Sequence, residues 1–422
     1  MYKVYFGIIT SFIILFLNAL GYGGDNFTIK ILTLSVPIVW LLTGLVSCLF
    51  ILPGTRLLQK WHPWLFQMWL LVLFGGITRL LIEIPMYGIE SLRGSIFFLG
   101  SVIIPVGIYL GFCWKSSNWR WFVEWPVIVI SLYTLSFPWR DLLFQVSPKS
   151  GMFREVPLLG FYNNFDTVTS ALWAAYFVSQ KPVCEAKWLL MLIIGLFGIS
   201  FVQSRLTYFS VIIALITIIF ILNKSNKIRI LLFKFIAIFG LLVVWLSYLS
   251  FFPITGRYGK FDLNFFKEHF ITILGKEGPA SGSVQHRYKE YPIALSNLIN
   301  QPLMSLFVGN GLSASIEGVT GIFRRVLHND YIDIPYRAGL IGFLWIIFVL
   351  GLFFTVLAVS KQVIKNRIAS ESDIITFAMI CSMLAYTLLR SMVEPVFFWA
   401  YGALPFYFWS GLALGVSRRL LR

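Results

Sequence analysis

Long apolar runs separated by short polar stretches make up most of the chain, and one long polar stretch interrupts them late. The runs are continuous rather than alternating, and most approach the roughly 20 residues that a helix needs to cross a bilayer. The pattern predicts about twelve spans, near 5–20, 31–52, 64–82, 95–113, 122–137, 165–179, 188–202, 206–223, 231–250, 338–360, 373–390 and 397–416. Two are weaker than the rest, since 188–202 is short and 122–137 opens with Glu124 and Pro126. A transmembrane β-barrel would instead alternate apolar and polar positions over segments of about ten residues. The expected fold is therefore all-α: one membrane-embedded domain over residues 1–422, with 251–337 as a large helical loop between the ninth and tenth spans. The first run, behind Lys3, is followed by no good small-x-small cleavage site and reads as an uncleaved span.

Inside the long loop, Tyr288 to Asn300 has helical spacing. Tyr291, Leu295, Leu298 and Ile299 fall on one face at three- and four-residue steps. Pro292 is expected in the first turn, where a missing N–H costs nothing. Pro302 follows, then a turn at Gly309-Asn310-Gly311. Such a helix suits a membrane surface.

Composition agrees with the pattern. The chain is 58% hydrophobic and 12% charged, about half the charge of an ordinary soluble domain. Aromatics make up 18%, with 15 Trp, as interfacial belts require. A net charge of +16 would suggest nucleic acid for a soluble protein; here the loops explain much of it. Lys3, Arg56, Lys60, Lys115, Arg120, Lys181, Lys187, Lys224, Lys227, Arg229, Lys361, Lys365, Arg367, Arg418, Arg419 and Arg422 fall in one alternating set of loops. The shorter opposite loops hold only Lys30, Arg93, Arg140, Lys149 and Arg154. The positive-inside rule makes the first set cytoplasmic, puts both termini inside and sends the 251–337 loop outward. The cysteines, Cys48, Cys113, Cys184 and Cys381, then lie in spans or inside, and no disulfide holds the loop.

Long loops escape the orientation rule, so the cations of this one, Arg257, Lys260, Lys267, Lys276, Arg287, Lys289, Arg324, Arg325 and Arg337, need their own reason. An anionic ligand such as phosphate supplies it, with lipid head groups as the plainer alternative. Arg205 lies between two apolar runs at the outward end of span seven, where a guanidinium needs a ligand or a carboxylate such as Asp166 or Glu394. Arg287 opens the loop helix beside His286 and Lys289, and its planar fork matches two phosphate oxygens. Arg140 and Arg154 lie in an aromatic-rich outward loop that could border the same site. His328 stands before Asn329, Asp330 and Asp333. It or Asp330 could orient or deprotonate a hydroxyl, while a structural histidine at a helix end is the bland reading. His269 and His286 are weaker candidates, and His62 falls on the other side. Arg79 with Glu83, and Arg390 with Glu394, sit four residues apart near the outward span ends, so local ion pairing is the default for both. No phosphate-cradling loop, nucleophile elbow or metal-ligand spacing is present. Phosphate chemistry would then use arginines in place of a metal ion, and no cofactor is expected.

In order along the chain, Gln203-Ser204-Arg205, Arg287 with Tyr291 and Ala294-Leu295, Pro302-Leu303, Gly309-x-Gly311, His328-Asn329-Asp330-Tyr331 and Ala338-Gly339-Leu340-Ile341-Gly342 resemble the O-antigen ligase and polymerase superfamily. The motifs cover roughly residues 200–345, and the span layout matches end to end. The resemblance implies a metal-independent bacterial inner-membrane glycosyltransferase of the GT-C type with a periplasmic active site, inverting at the sugar C1. Its donor would be a glycan on undecaprenyl diphosphate. The family's functional arginines map onto Arg205 and Arg287, and its histidine onto His328. Lys289, Arg337, Arg154 and Arg140 are further candidate contacts to the diphosphate, and Asp330 a further candidate in catalysis. Two positions depart from the family: Tyr291 replaces the usual Trp, and Arg337 stands where an acidic residue is common.

The implied reaction is ligation of a whole glycan to a lipid A-core sugar. Polymerisation, joining lipid-linked repeat units, is the alternative and needs the same donor site; protein O-glycosylation is a third variant. A twelve-span secondary transporter is the competitor from another class. However, the loop after span two, PGTRLLQKWHP, lacks that class's Asp, and the long loop lies late and outward.

Overall fold

A computed structural model describes residues 2–31, 34–114, 116–151, 155–180, 182–203, 205–222, 225–272, 282–314 and 327–422. Of some residues at the edges of these segments, Arg205, Arg287 and Lys289 among them, only the backbone is described. About 80% of the described residues are helical, with almost no sheet among them. The first half runs α1 (Tyr2–Ala19), α2 (Tyr22–Asn26), β1 (Thr28–Ile31), β2 (Leu34–Pro37), α3 (Ile38–Trp61), α4 (Pro63–Tyr87), α5 (Ile89–Gly94), α6 (Ile96–Leu99), α7 (Ile103–Cys113), α8 (Ser116–Thr134) and α9 (Arg140–Val146). Then come β3 (Lys149–Ser150), β4 (Val156–Pro157), α10 (Phe165–Val178), α11 (Pro182–Val202), α12 (Ser210–Leu222) and α13 (Ser225–Phe251). The last part holds β5 (Ile254–Gly256), β6 (Gly259–Phe261), α14 (Leu263–Ile271), α15 (Gly282–Ile299), α16 (Leu303–Val308), α17 (Asp330–Ala338), α18 (Leu340–Lys365), α19 (Glu371–Arg390) and α20 (Ala400–Leu420).

Every one of the twelve apolar runs contains helix. Among the described residues seven helices are long and apolar enough to cross a membrane, or eight if Trp119–Thr134 and Phe137–Val146, bent by 56°, form one span. The protein is an all-α, membrane-embedded one. Its surface fits: Phe233, Phe239, Val244, Leu81 and Phe74 point outward, which a lipid surround makes favourable.

Two boundaries differ from expectation. Span two does not start at residue 31, because Thr28–Pro37 forms a hairpin pairing Thr28 with Pro37 and Lys30 with Ser35. Alternating, β-branched residues favour that strand, and the helix begins only at Ile38, after Pro37. The loop helix starts at Gly282 rather than Tyr288, which puts Pro292 in its interior instead of its first turn.

The tightest helix pair is α7 with α20. Gly107, Gly111, Gly411 and Gly415 form two small-x-x-x-small pairs that let the backbones touch. A Cβ on Gly411 would sit 2.4 Å from the Ile104 carbonyl oxygen, and one on Gly415 2.2 Å from that of Ile108. Elsewhere α10 packs on α12 and α19, and α4 on α18, around one continuous apolar core.

Side-chain contacts gather the loops into two ends. At one end Arg418 donates to the Trp61 carbonyl (3.2 Å), Trp119 to Asp373 (2.9 Å) and the Gln180 amide to Glu371 (3.0 Å). Glu124, which weakened the prediction of span five, is paired there with Arg120 (2.5 Å) and Lys187 (2.7 Å). At the other end Asn164 reaches the carbonyls of Asn18 (2.5 Å) and Tyr401 (3.3 Å), and the Tyr401 amide donates to Asp25 (2.7 Å). The loops named at each end belong to a single one of the two sets that the charge pattern separates.

Candidate functional site

That second end contains a cavity of about 480 Å³. Its wall includes Tyr22 after α1, Phe137 and Arg140 after α8, and Phe161, Tyr162, Asn163 and Asp166 around the start of α10. Val202, Arg257, His328, Arg390, Glu394 and Trp399 complete most of the rest. All but Arg257, at the tip of the β5–β6 hairpin, lie at or beside a helix terminus, where a side chain can face an aqueous mouth while its backbone stays in the bundle.

The segment from His328 to Gly342 is built around His328. Asn329 caps α17 by accepting the Tyr331 amide (3.0 Å). Asp330 is fully buried, accepts the Phe397 amide (2.8 Å) and donates its own amide to the Ser391 carbonyl (2.8 Å). Burial pushes its carboxyl well above the usual carboxylate range. Asp333 accepts from the Leu327 amide (3.0 Å) and pairs with Arg337 (2.8 Å). Tyr331 donates to the Leu388 carbonyl (3.1 Å), and burial raises its phenol to about 12. Of these polar residues only His328 lines the cavity; the others hold its backbone from both sides.

The glycine motifs belong to the same brace. Gly309 and Gly311 have φ of +78° and +114°, and the Asn310 and Gly311 amides donate to the carbonyls of Tyr336 and Arg337 (both 3.0 Å). A Cβ on Gly309 would lie 2.2 Å from the Arg337 oxygen. Arg79 pairs with Glu83, as expected, and Glu83 also accepts the Leu312 amide (2.7 Å). This pair therefore ties the end of α4 to the Gly309–Gly311 turn, away from the cavity.

Cations reach the cavity in two ways. Arg390 is neutralised by Glu394 (2.6 Å), as local pairing predicts, and also bonds the Asn163 carbonyl. Arg140 lies over the Phe144 ring (5.1 Å) and Arg257 beside Tyr258 (5.2 Å). Among the described residues neither has a carboxylate partner. Two such guanidiniums on one cavity favour an anionic ligand.

The remaining expected residues fall as follows. Arg205 opens a short 3₁₀ helix, Arg205–Phe209, between Val202 of the cavity wall and Thr207, whose hydroxyl donates to Asp166 of the same wall. Its backbone thus runs beside the cavity. Arg287 and Lys289 lie on α15, one turn before and two residues before Tyr291. The Tyr291 hydroxyl donates to the His328 carbonyl and to that of Met392 (3.3 Å), so this helix is pinned where His328 is presented. Arg154 lies outside the described residues.

Two candidates lie away from this cavity. Arg337 is only 3% exposed, bound to Asp333 and to the Leu312 carbonyl (3.2 Å), and lies over the Phe398 ring (5.0 Å). Asp333 lies four residues before it on the same helix, so the charge is neutralised locally and is not offered to the cavity. Asp330 likewise does not line the cavity, because its carboxylate turns into the protein to accept the Phe397 amide. Among the weaker histidines, His269 is buried against Tyr208 (3.1 Å) and the aromatic cluster of the loop.

Sequence reasoning passed over Arg257, one loop cation among many, whereas the Phe161-Tyr162-Asn163 segment belongs to the aromatic-rich loop expected to border the site. Among the described residues no three His, Cys, Asp or Glu side chains gather as metal ligands would. No protein-family model matches the chain, and no curated protein matches it in sequence.

Proposed function

We propose that the protein is a membrane glycosyltransferase that moves a glycan from undecaprenyl diphosphate to an acceptor hydroxyl, in the manner of the O-antigen ligases. The observation that carries this reading is the shared cavity of His328, Arg140 and Arg257, with the chain bearing Arg205 beside it and the helix bearing Arg287 pinned to the His328 carbonyl. In the reaction an acceptor oxygen attacks the sugar C1, the C1–oxygen bond to the diphosphate breaks, and undecaprenyl diphosphate leaves. The leaving group gains negative charge as that bond breaks. Guanidiniums that keep their charge at any working pH stabilise it without a metal. The acceptor hydroxyl loses its proton to His328, since imidazole is the side chain best suited to accept a proton at working pH.

The arrangement in the membrane follows the same reading. On this reading there are twelve spans, nine of them before the 251–337 loop, with the basic loops in the cytoplasm by the positive-inside rule and the cavity on the periplasmic face of a bacterial inner membrane. The exposed apolar flank of the bundle lets a polyprenyl tail stay in lipid while its head enters the cavity.

The deciding experiment is reconstitution of the purified protein with undecaprenyl-diphosphate glycan in EDTA, with or without rough lipopolysaccharide. Glycan on the lipid A core alone establishes ligation. A ladder of longer lipid-linked glycan without that acceptor establishes polymerisation, which uses the same donor site. Absence of product in both, with intact donor supplied, overturns the transferase reading.

A further inference from the structure

The β5–β6 hairpin is a two-stranded ribbon that pairs Ile254 with Phe261, Thr255 with Lys260 and Gly256 with Gly259. Its tip is Arg257-Tyr258. One end of the ribbon is anchored in an apolar cluster of Phe261, Phe265, Leu246 and Leu249. The tip is held by a different device, the side chain of Gln203 at the end of α11. Gln203 is fully buried, and its amide makes two bonds to the turn: it accepts from the Tyr258 amide (2.5 Å) and donates to the Gly259 carbonyl (2.9 Å). A third bond runs from the Arg257 amide to the Phe201 carbonyl (2.9 Å).

Two features show that this contact is held at a cost. Gln203 has φ of +52°, a left-handed conformation that a long side chain rarely adopts. Gly256 approaches so closely that a Cβ there would lie 2.6 Å from both the Ser200 carbonyl oxygen and the Gln203 amide nitrogen. The result is that Arg257, on an otherwise exposed turn, is fixed on the wall of the polar cavity next to Val202. Without the Gln203 bonds, a two-stranded ribbon of this size would not hold its tip in water.

We infer that this hairpin is a clasp for the diphosphate of the ligand, with Arg257 a binding residue and Gln203 the positioning residue that holds Arg257 against the cavity. The inference rests on the proposed lipid-diphosphate donor. Arg257 meets the anion, its charge unopposed by any carboxylate among the described residues. Gln203 touches no ligand and acts only through the hairpin. It also stands two residues before Arg205, so one short segment positions the backbone of both arginines.

The test is equilibrium binding of undecaprenyl diphosphate, and separately of inorganic pyrophosphate, to the purified full-length protein in nanodiscs. Arg257→Ala is expected to weaken binding roughly tenfold or more, the effect of removing a charge-assisted hydrogen bond. Gln203→Ala is expected to weaken it to the same extent, and the double variant no further, because both changes remove one interaction. Arg257→Lys should recover part of the loss. Gln203→Asn accepts the left-handed backbone but is one methylene too short for both bonds; it should lose affinity with unchanged thermal melting, and trypsin should cut faster after Arg257. Wild-type affinity in Arg257→Ala, or losses that add in the double variant, overturns the clasp while leaving the donor proposal standing. Failure of the wild-type protein to bind either diphosphate overturns both.

Discussion

Where α7 meets α20, four glycines bring backbone against backbone, and a single added methyl has nowhere to go. At the polar cavity, arginines, tyrosines and a histidine surround open volume. The segment from His328 to Gly342 contains both kinds of packing. Asn329, Asp330, Asp333 and Arg337 are bonded into the protein as closely as the glycine seam, and they leave the His328 side chain at the opening. A charged residue in a membrane protein therefore says little about function until its partner is known. Arg337 and Arg390 are neutralised four residues away, whereas Arg140 and Arg257 face the cavity with no carboxylate partner among the described residues.

This contrast should separate variants that lose turnover from variants that lose stability. The largest effect is expected from His328→Ala, which should lower glycan transfer by about 10²–10⁴-fold while thermal unfolding in detergent stays unchanged. Near-normal transfer by that variant would remove His328 from acid–base chemistry. Arg337→Ala should show the reverse, because it leaves Asp333 buried and unpaired, at a loss of about 3–5 kcal/mol. Replacing both partners with apolar residues should recover much of that stability, and a single variant as stable as the parent would refute the brace.

Gly411→Ala tests the seam. Its new methyl meets the Ile104 carbonyl, so α7 and α20 must separate, at about 1–3 kcal/mol. A melting temperature equal to the parent's would show that the contact is slack. Asp330→Asn is expected to be the mildest at neutral pH, within about 1 kcal/mol, since an amide oxygen can still accept the Phe397 amide. Its effect should depend on pH. A carboxyl raised above its unfolded value of about 3.9 binds its proton more tightly when folded. Its contribution is thus fully present below that pH and is lost as pH rises through the folded value. The stability difference between parent and Asp330→Asn should shift in favour of the Asn protein as pH is raised from acid towards neutral; a flat difference would mean that Asp330 is not perturbed.

Part of this site was legible along the chain. Arg140 and His328 stand out because polar groups are rare in so apolar a sequence, and the Arg79–Glu83 and Arg390–Glu394 pairs follow from four-residue spacing. The same spacing links Asp333 to Arg337, yet the basic character of the loop drew attention to Arg337 as a ligand contact instead. Span two was placed too early because a short hairpin of Ile, Val and Leu is as apolar as the start of a helix. The glycine seam was visible as Gly107-x-x-x-Gly111 and Gly411-x-x-x-Gly415, but nothing local says that these two stripes face each other.

By itself the sequence determined that the chain is helical and that most of it belongs in a membrane. Both are sums over neighbouring residues, in which apolar length and helical spacing suffice. Only the tertiary structure decided which charges remain available. The bonds from Gln203 to the hairpin tip, from Tyr291 to the His328 carbonyl and from Asp330 to the Phe397 amide join segments 37 to 67 residues apart. Whether a buried polar group has a partner depends on those distant meetings, and so does the difference between a brace and a binding site.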